Sequence, residues 1–154
     1  MTQNPAPVPR ASGRLTSMGT AEFSGIDATI LMGGDGKPFT VMEMIVRPGM
    51  GAPAHISFHE DKVFHISEGN FLFLIGEDRI KAKAGDHLFA GRRQVHSFSA
   101  LGSKPARMTL VSNPAHHDRF FRALSALPVP HDPKEVEAVC ETCDQRIVGP
   151  IVEA

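Results

Sequence analysis

Short apolar runs, each of strand length and separated at close intervals by glycine and aspartate turns, constrain this chain more than any other feature. The runs are Ala28–Met32, Phe39–Val46, Val63–Ile66, Phe71–Ile75, Ile80–Lys83, His87–Ala90, Val95–Ala100 and Met108–Val111. Between them stand Gly33-Gly34-Asp35-Gly36, Pro48-Gly49-Met50-Gly51, Gly76-Glu77-Asp78 and Ala84-Gly85-Asp86, which supply positive-φ and Asx-type turns. A chain turned back this often has no room for long helices over that stretch. It predicts an all-β antiparallel sandwich or barrel.

Past residue 112 the apolar period changes from strand-like to helical. Asn113 is placed to cap a helix opening at Pro114, with Phe120, Phe121, Leu124 and Leu127 on one face. A second helix opens at Asp132, with Pro133 in first position, Glu135 set for a capping box, and Val136, Val139, Cys140 and Cys143 as its apolar face. These two short helices are expected on the outer wall of the barrel, and the tail from Arg146 as one more extended segment. Pro5, Pro7 and Pro9 among small polar residues mark 1–17 as a flexible arm. The division is then an arm over 1–17, a barrel over 18–112, and C-terminal helices and tail over 113–154.

Composition removes several classes of partner. The 154 residues carry a formal net charge of −1 with both signs interspersed, which argues against nucleic acid and for a small-molecule ligand. No run approaches the length of a membrane span, and no secretory leader opens the chain, so a cytoplasmic protein is expected. Cys140 and Cys143 are spaced as C-x-x-C, which a metal or dithiol role would use, but they stand on the apolar helix face, where packing as small hydrophobes is the expected role. With ten Phe and no Trp or Tyr, any aromatic cavity wall has to be phenylalanine.

Chemistry concentrates between Gly49 and Gly69, which hold His55, His59 and His65 among turn residues and carboxylates. His96 follows a second turn-then-strand passage, so an antiparallel barrel can bring His55 and His96 into one cavity. The residues alone leave two readings open, a pair of metal ligands or a hydrogen-bonded core pair. Glu60 and Asp61 read as turn carboxylates facing water, with a metal or proton-transfer role beside His59 left open, and His116 and His117 as exposed residues opening a helix. His65, opposite in strand parity to Phe64, is expected to face outward.

The stretch from Pro48 to Gly69, followed by Gly85 to Phe98, resembles the two motifs of the cupin superfamily. Gly49, Gly51, Pro53, His55, Phe64, Glu68 and Gly69 match the first motif, and Gly85, Asp86, Phe89, His96 and Phe98 the second. The closing helices and tail resemble those of small quercetinase-like cupins. The resemblance implies a double-stranded β-helix, a jelly-roll barrel with two short C-terminal helices, and commonly a homodimer. It also implies a metal site, from which this chain departs. Ser57 stands where the second histidine of H-x-H is usual and Lys62 where the ligand glutamate is usual, while Gly91 and Arg93 replace a proline and a glycine of the second motif.

Three functional readings follow. In the first, a metal-free cavity binds an aromatic, enol or carboxylate ligand: Lys62 pairs an anionic group, Ser57 gives a hydrogen bond, His96 serves as base, and Phe64 and Phe98 form the wall, with isomerase- or cyclase-type chemistry within reach. In the second, a dioxygenase-like site holds a divalent transition metal (Fe, Mn, Ni or Zn) on His55, His96 and, swung inward, His59. The third is a non-catalytic sensor or assembly module.

Overall fold

Alternating burial builds the barrel. The computed structural model describes residues 13–154, so the expected arm lies outside the described residues through residue 12. The strands are β1 (Gly19–Phe23), β2 (Ile26–Met32), β3 (Thr40–Val46), β4 (Gly51–Ser57), β5 (Asp61–Glu68), β6 (Asn70–Ile75), β7 (Asp78–Lys83), β8 (His87–Ala90), β9 (His96–Leu101), β10 (Ala106–Asn113) and β11 (Gln145–Ile151). Two helices, α1 (His117–Ser125) and α2 (Pro133–Thr142), precede the last strand. In β3 every second residue from Thr40 to Val46 is buried, so Met42 and Met44 enter the core while Glu43 and Ile45 face out.

The strands form two antiparallel sheets, ordered β1-β2-β3-β10-β5-β8 and β11-β4-β9-β6-β7. Consecutive strands β4 and β5 therefore lie in opposite sheets, and β5 and β6 likewise. That is the double-stranded β-helix. Between the layers lies a core built on Ile26, Ile30, Met42, Met44, Phe64, Ile66, Phe71, Phe73 and Met108. Two glycines hold the crossing strands together. A Cβ on Gly51 would overlap the Phe98 carbonyl oxygen, and one on Gly69, at φ +78°, would come within 2.9 Å of the Ala106 Cβ.

All eight expected runs are strands: five are longer than expected, β8 coincides with its run, and β3 and β9 begin one residue later, at Thr40 and His96. β4 was hidden by its turn-like composition, Gly51 and Pro53 included. It tolerates Pro53 because the β4–β9 register shifts between Ala52 and His55, a position where a ladder N–H is not required. Helix α1 begins at His117, not Pro114, because Asn113 is still paired with Asp61 in the β10–β5 ladder and cannot cap. Asp132 does cap α2, accepting from the Lys134 N–H.

The helices do not cover the outer wall as expected. His117, Phe120, Phe121 and Leu124 of α1, with Val136 and Cys140 of α2, line the interior cavity. The wide apolar face of α1 finds its partners there, and Phe121 meets Phe23 of β1 edge-on at 4.8 Å between ring centroids. Among the described residues no helix is long and apolar enough to cross a membrane.

Candidate functional site

The cavity, about 230 Å³ in volume, is walled chiefly by apolar side chains, including Phe23, Phe64, Phe98, Phe120, Phe121 and Leu110, with a few polar groups converging on it. Neighbouring strands β4 and β9 pair His55 with His96, setting the imidazoles side by side at 4.1 Å between centroids. Lys62 reaches them from β5 in the opposite sheet. Its Nζ lies 3.0 Å from His96 Nε2 and 3.3 Å from His55 Nε2. All three side chains are buried, Lys62 to within 2 % of full burial.

The backbone fixes the tautomers. His55 Nδ1 lies 2.7 Å from the Pro53 carbonyl oxygen and His96 Nδ1 lies 3.0 Å from that of Gln94. A carbonyl only accepts, so each Nδ1 carries the proton and each Nε2 presents a lone pair to Lys62. Burial, then the Lys62 charge, lowers His55 to about 3, and the same causes in the same order hold His96 far below its ordinary value. Burial also lowers the Lys62 ammonium to about 8, although the Glu60 charge works to raise it. The positive charge of this cluster is therefore carried by the lysine.

A second polar group backs the first. Glu60 is buried, not facing water, and its Oε2 lies 2.7 Å from His117 Nδ1, off the line of a straight hydrogen bond. Gln145 Nε2 donates to the same Glu60 oxygen at 3.1 Å, and Gln145 Oε1 accepts from the Ser57 hydroxyl. Burial alone would raise the Glu60 carboxyl; the close approach of His117, with the charge of Lys62, overcomes it and brings the group down to about 2. Burial lowers His117, and Lys62 adds to that. Glu60 is therefore the counter-charge of Lys62 inside an otherwise neutral site.

Phe64 and Phe98 take the expected inward places on the wall, 5.9 Å apart between centroids. Ser57 lies behind the wall, its hydroxyl engaged by Gln145. His59 does not swing inward: its side chain is 63 % exposed and its nearest charged partner is Asp144, at 4.0 Å. His65 points away from the cavity and stacks on His87 at 4.2 Å. His117 and Gln145 were not expected at the site, and Glu60 was expected only in a turn beside His59. Cys140 and Cys143 are buried free thiols whose proton affinity burial raises, in keeping with packing.

Residues 42–112 match the cupin domain family, Cupin_2. Solved structures agree on the fold. An RmlC-like cupin from Shewanella frigidimarina superposes at TM-score 0.58 with 16 % identity, over 70 % of this chain and 96 % of that one. KdgF from Halomonas sp. gives 0.56 with 16 % identity, over 66 % and 94 %. A predicted oxalate decarboxylase from Thermotoga maritima gives 0.53 with 21 % identity, over 56 % and 78 %. A search of curated protein sequences gave no significant match. With the two-sheet barrel, the family match over residues 42–112 and the shared fold of these neighbours support a small cupin superfamily protein.

Cupins often bind transition metals, and this chain's donor set does not fit one. Both imidazole Nε2 atoms that would coordinate are hydrogen-bonded to the Lys62 nitrogen, itself a cation below pH about 8. Among the described residues no group of three or more His, Cys, Asp or Glu side chains is arranged to hold an ion. A cation placed between His55 and His96 would have to displace the lysine and meet its charge.

Proposed function

We propose that the protein binds a small, flat organic anion or its enol or carbonyl form in the barrel, and acts on it without a metal. The observation that carries this reading is the Lys62 nitrogen held between two imidazoles at the wall of an apolar cavity. An ammonium has three N–H bonds. Two are accepted by His55 and His96, and the third is left for a ligand oxygen. The phenylalanine walls suit a ring: a cavity of about 150 Å³ already accepts benzene, so 230 Å³ takes one ring with a short polar substituent.

In this reading the proton-moving group is Lys62, and His96 and His55 orient it by accepting its N–H bonds. Proton transfer to and from an enolisable ligand gives isomerase- or cyclase-type chemistry. Calorimetric titration with benzoate, with wild type and Lys62→Met compared near neutral pH, tests the reading. Affinity should fall at least about tenfold in the variant, the loss of one charge-assisted hydrogen bond. Equal affinity in the two proteins would rule out the anion contact.

A further inference from the structure

The two imidazoles do more than hold Lys62 in place. An amine that condenses with a carbonyl to an imine must lose both of its N–H protons, and the carbonyl oxygen must gain two and depart as water. Lys62 Nζ has an imidazole Nε2 on each side, at 3.0 and 3.3 Å, and both are acceptors because the backbone carbonyls of Gln94 and Pro53 fix the opposite tautomer at Nδ1. When the neutral amine points its two N–H bonds at these nitrogens, its lone pair is the remaining tetrahedral direction. Two proton acceptors and one unengaged lone pair match the needs of this condensation.

We propose that Lys62 is a nucleophile that captures the carbonyl carbon of a small aromatic aldehyde or ketone as an imine. This deepens the function proposed above and rests on it. The Nζ lone pair forms the C–N bond as the carbonyl π pair moves onto oxygen. One N–H proton passes through the His96 Nε2 to that oxygen and gives a carbinolamine. The second passes through the His55 Nε2 to the hydroxyl, the C–O bond breaks, and water leaves with the C=N bond formed. One carbonyl and one amine give one imine and one water, with no change of oxidation state. The Phe64, Phe98, Phe120 and Phe121 walls hold the aryl group and limit hydrolysis. Burial that weakens the ammonium supports the neutral amine near pH 8.

The test is reductive trapping. Full-length protein is incubated with benzaldehyde and cyanoborohydride, and the adduct is located by peptide mass mapping. The exposed Lys37, Lys81, Lys83, Lys104 and Lys134 serve as internal references. The expected result is a single adduct at Lys62, formed at least about tenfold faster than at any reference lysine and suppressed by benzoate. Lys62→Met should show only the reference reactivity, and mapping wild type alone keeps the result readable if that variant misfolds. If benzoate binds wild type in a Lys62-dependent way while Lys62 traps no faster than the surface lysines, the nucleophile is refuted and the binding reading stands. If neither benzoate nor benzaldehyde engages the cavity, both fall.

Discussion

Lys62 Nζ and His96 Nε2, 3.0 Å apart, are joined across the barrel from opposite sheets, and the lysine stands where a cation bound by His55 and His96 would stand. One substitution should reverse that relationship. Lys62→Glu exchanges a positive group for a carboxylate, giving two imidazole nitrogens and one oxygen donor with open positions, a set suited to zinc or ferrous iron. After loading and dialysis, elemental analysis should find about one zinc per chain in the variant and a negligible amount in wild type. Equal metal content in the two would show that Lys62 is not what excludes the ion.

Acid should weaken the fold earlier than for an ordinary barrel. His55, His96 and His117 bind protons less readily folded than unfolded, and Glu60, lowered to about 2, behaves likewise. The unfolded chain therefore holds more protons, and stability falls as pH drops: from the imidazoles below about 6.5, then from Glu60 below about 4.5. Lys62, lowered to about 8, is charged below about pH 7 and adds little slope there. The unfolding free energy from urea titrations should decline between about pH 7 and pH 5, with a slope of up to about 1.4 kcal/mol per pH unit for each imidazole. A flat profile over that interval would mean that the imidazoles are not buried neutral.

Most of the fold was legible because turn chemistry and period-two burial act locally, and the eight expected runs became strands for that reason. The site was legible in part. Lys62, His55 and His96 were found through the cupin motifs, while Glu60 was misread although it shares strand parity with Lys62 and Phe64. His117 was passed over although Phe120, Phe121 and Leu124 follow at helical spacing on its face. Each signal was present and was outweighed by the habit of such residues to face water. Gln145 is different: it reaches Glu60 and Ser57 only because β11 pairs with β4, a long-range contact that no local pattern encodes.

Gly51 sets the register that brings His55 to His96. Because an added Cβ would overlap the Phe98 carbonyl oxygen, Gly51→Ala has to push β4 off β9. It should cost more than about 2 kcal/mol in chemical denaturation and weaken benzoate binding as well. Gly91→Ala is the control. A Cβ there meets Phe89 at 3.5 Å, ordinary contact, and the backbone needs no left-handed conformation. The change should be neutral or stabilising by about 0.5 kcal/mol. Comparable losses in both variants would remove the special standing of Gly51.

Glu60 sets the charge state of Lys62. The groups acting on the ammonium are His55 and His96 in contact with it, and His117 and Glu60 behind them, of which Glu60 alone favours the charged form. In wild type, anion binding is present below about pH 8 and lost as the amine loses its proton above it. Glu60→Gln keeps an oxygen for the Gln145 amide to donate to and removes the counter-charge, so Lys62 should give up its proton at lower pH. The midpoint of benzoate binding against pH should therefore move down by about one unit, with reductive trapping gaining at neutral pH in parallel. A midpoint that stays in place, or rises, would show that the Glu60–His117 pair only supports the fold and does not tune the amine.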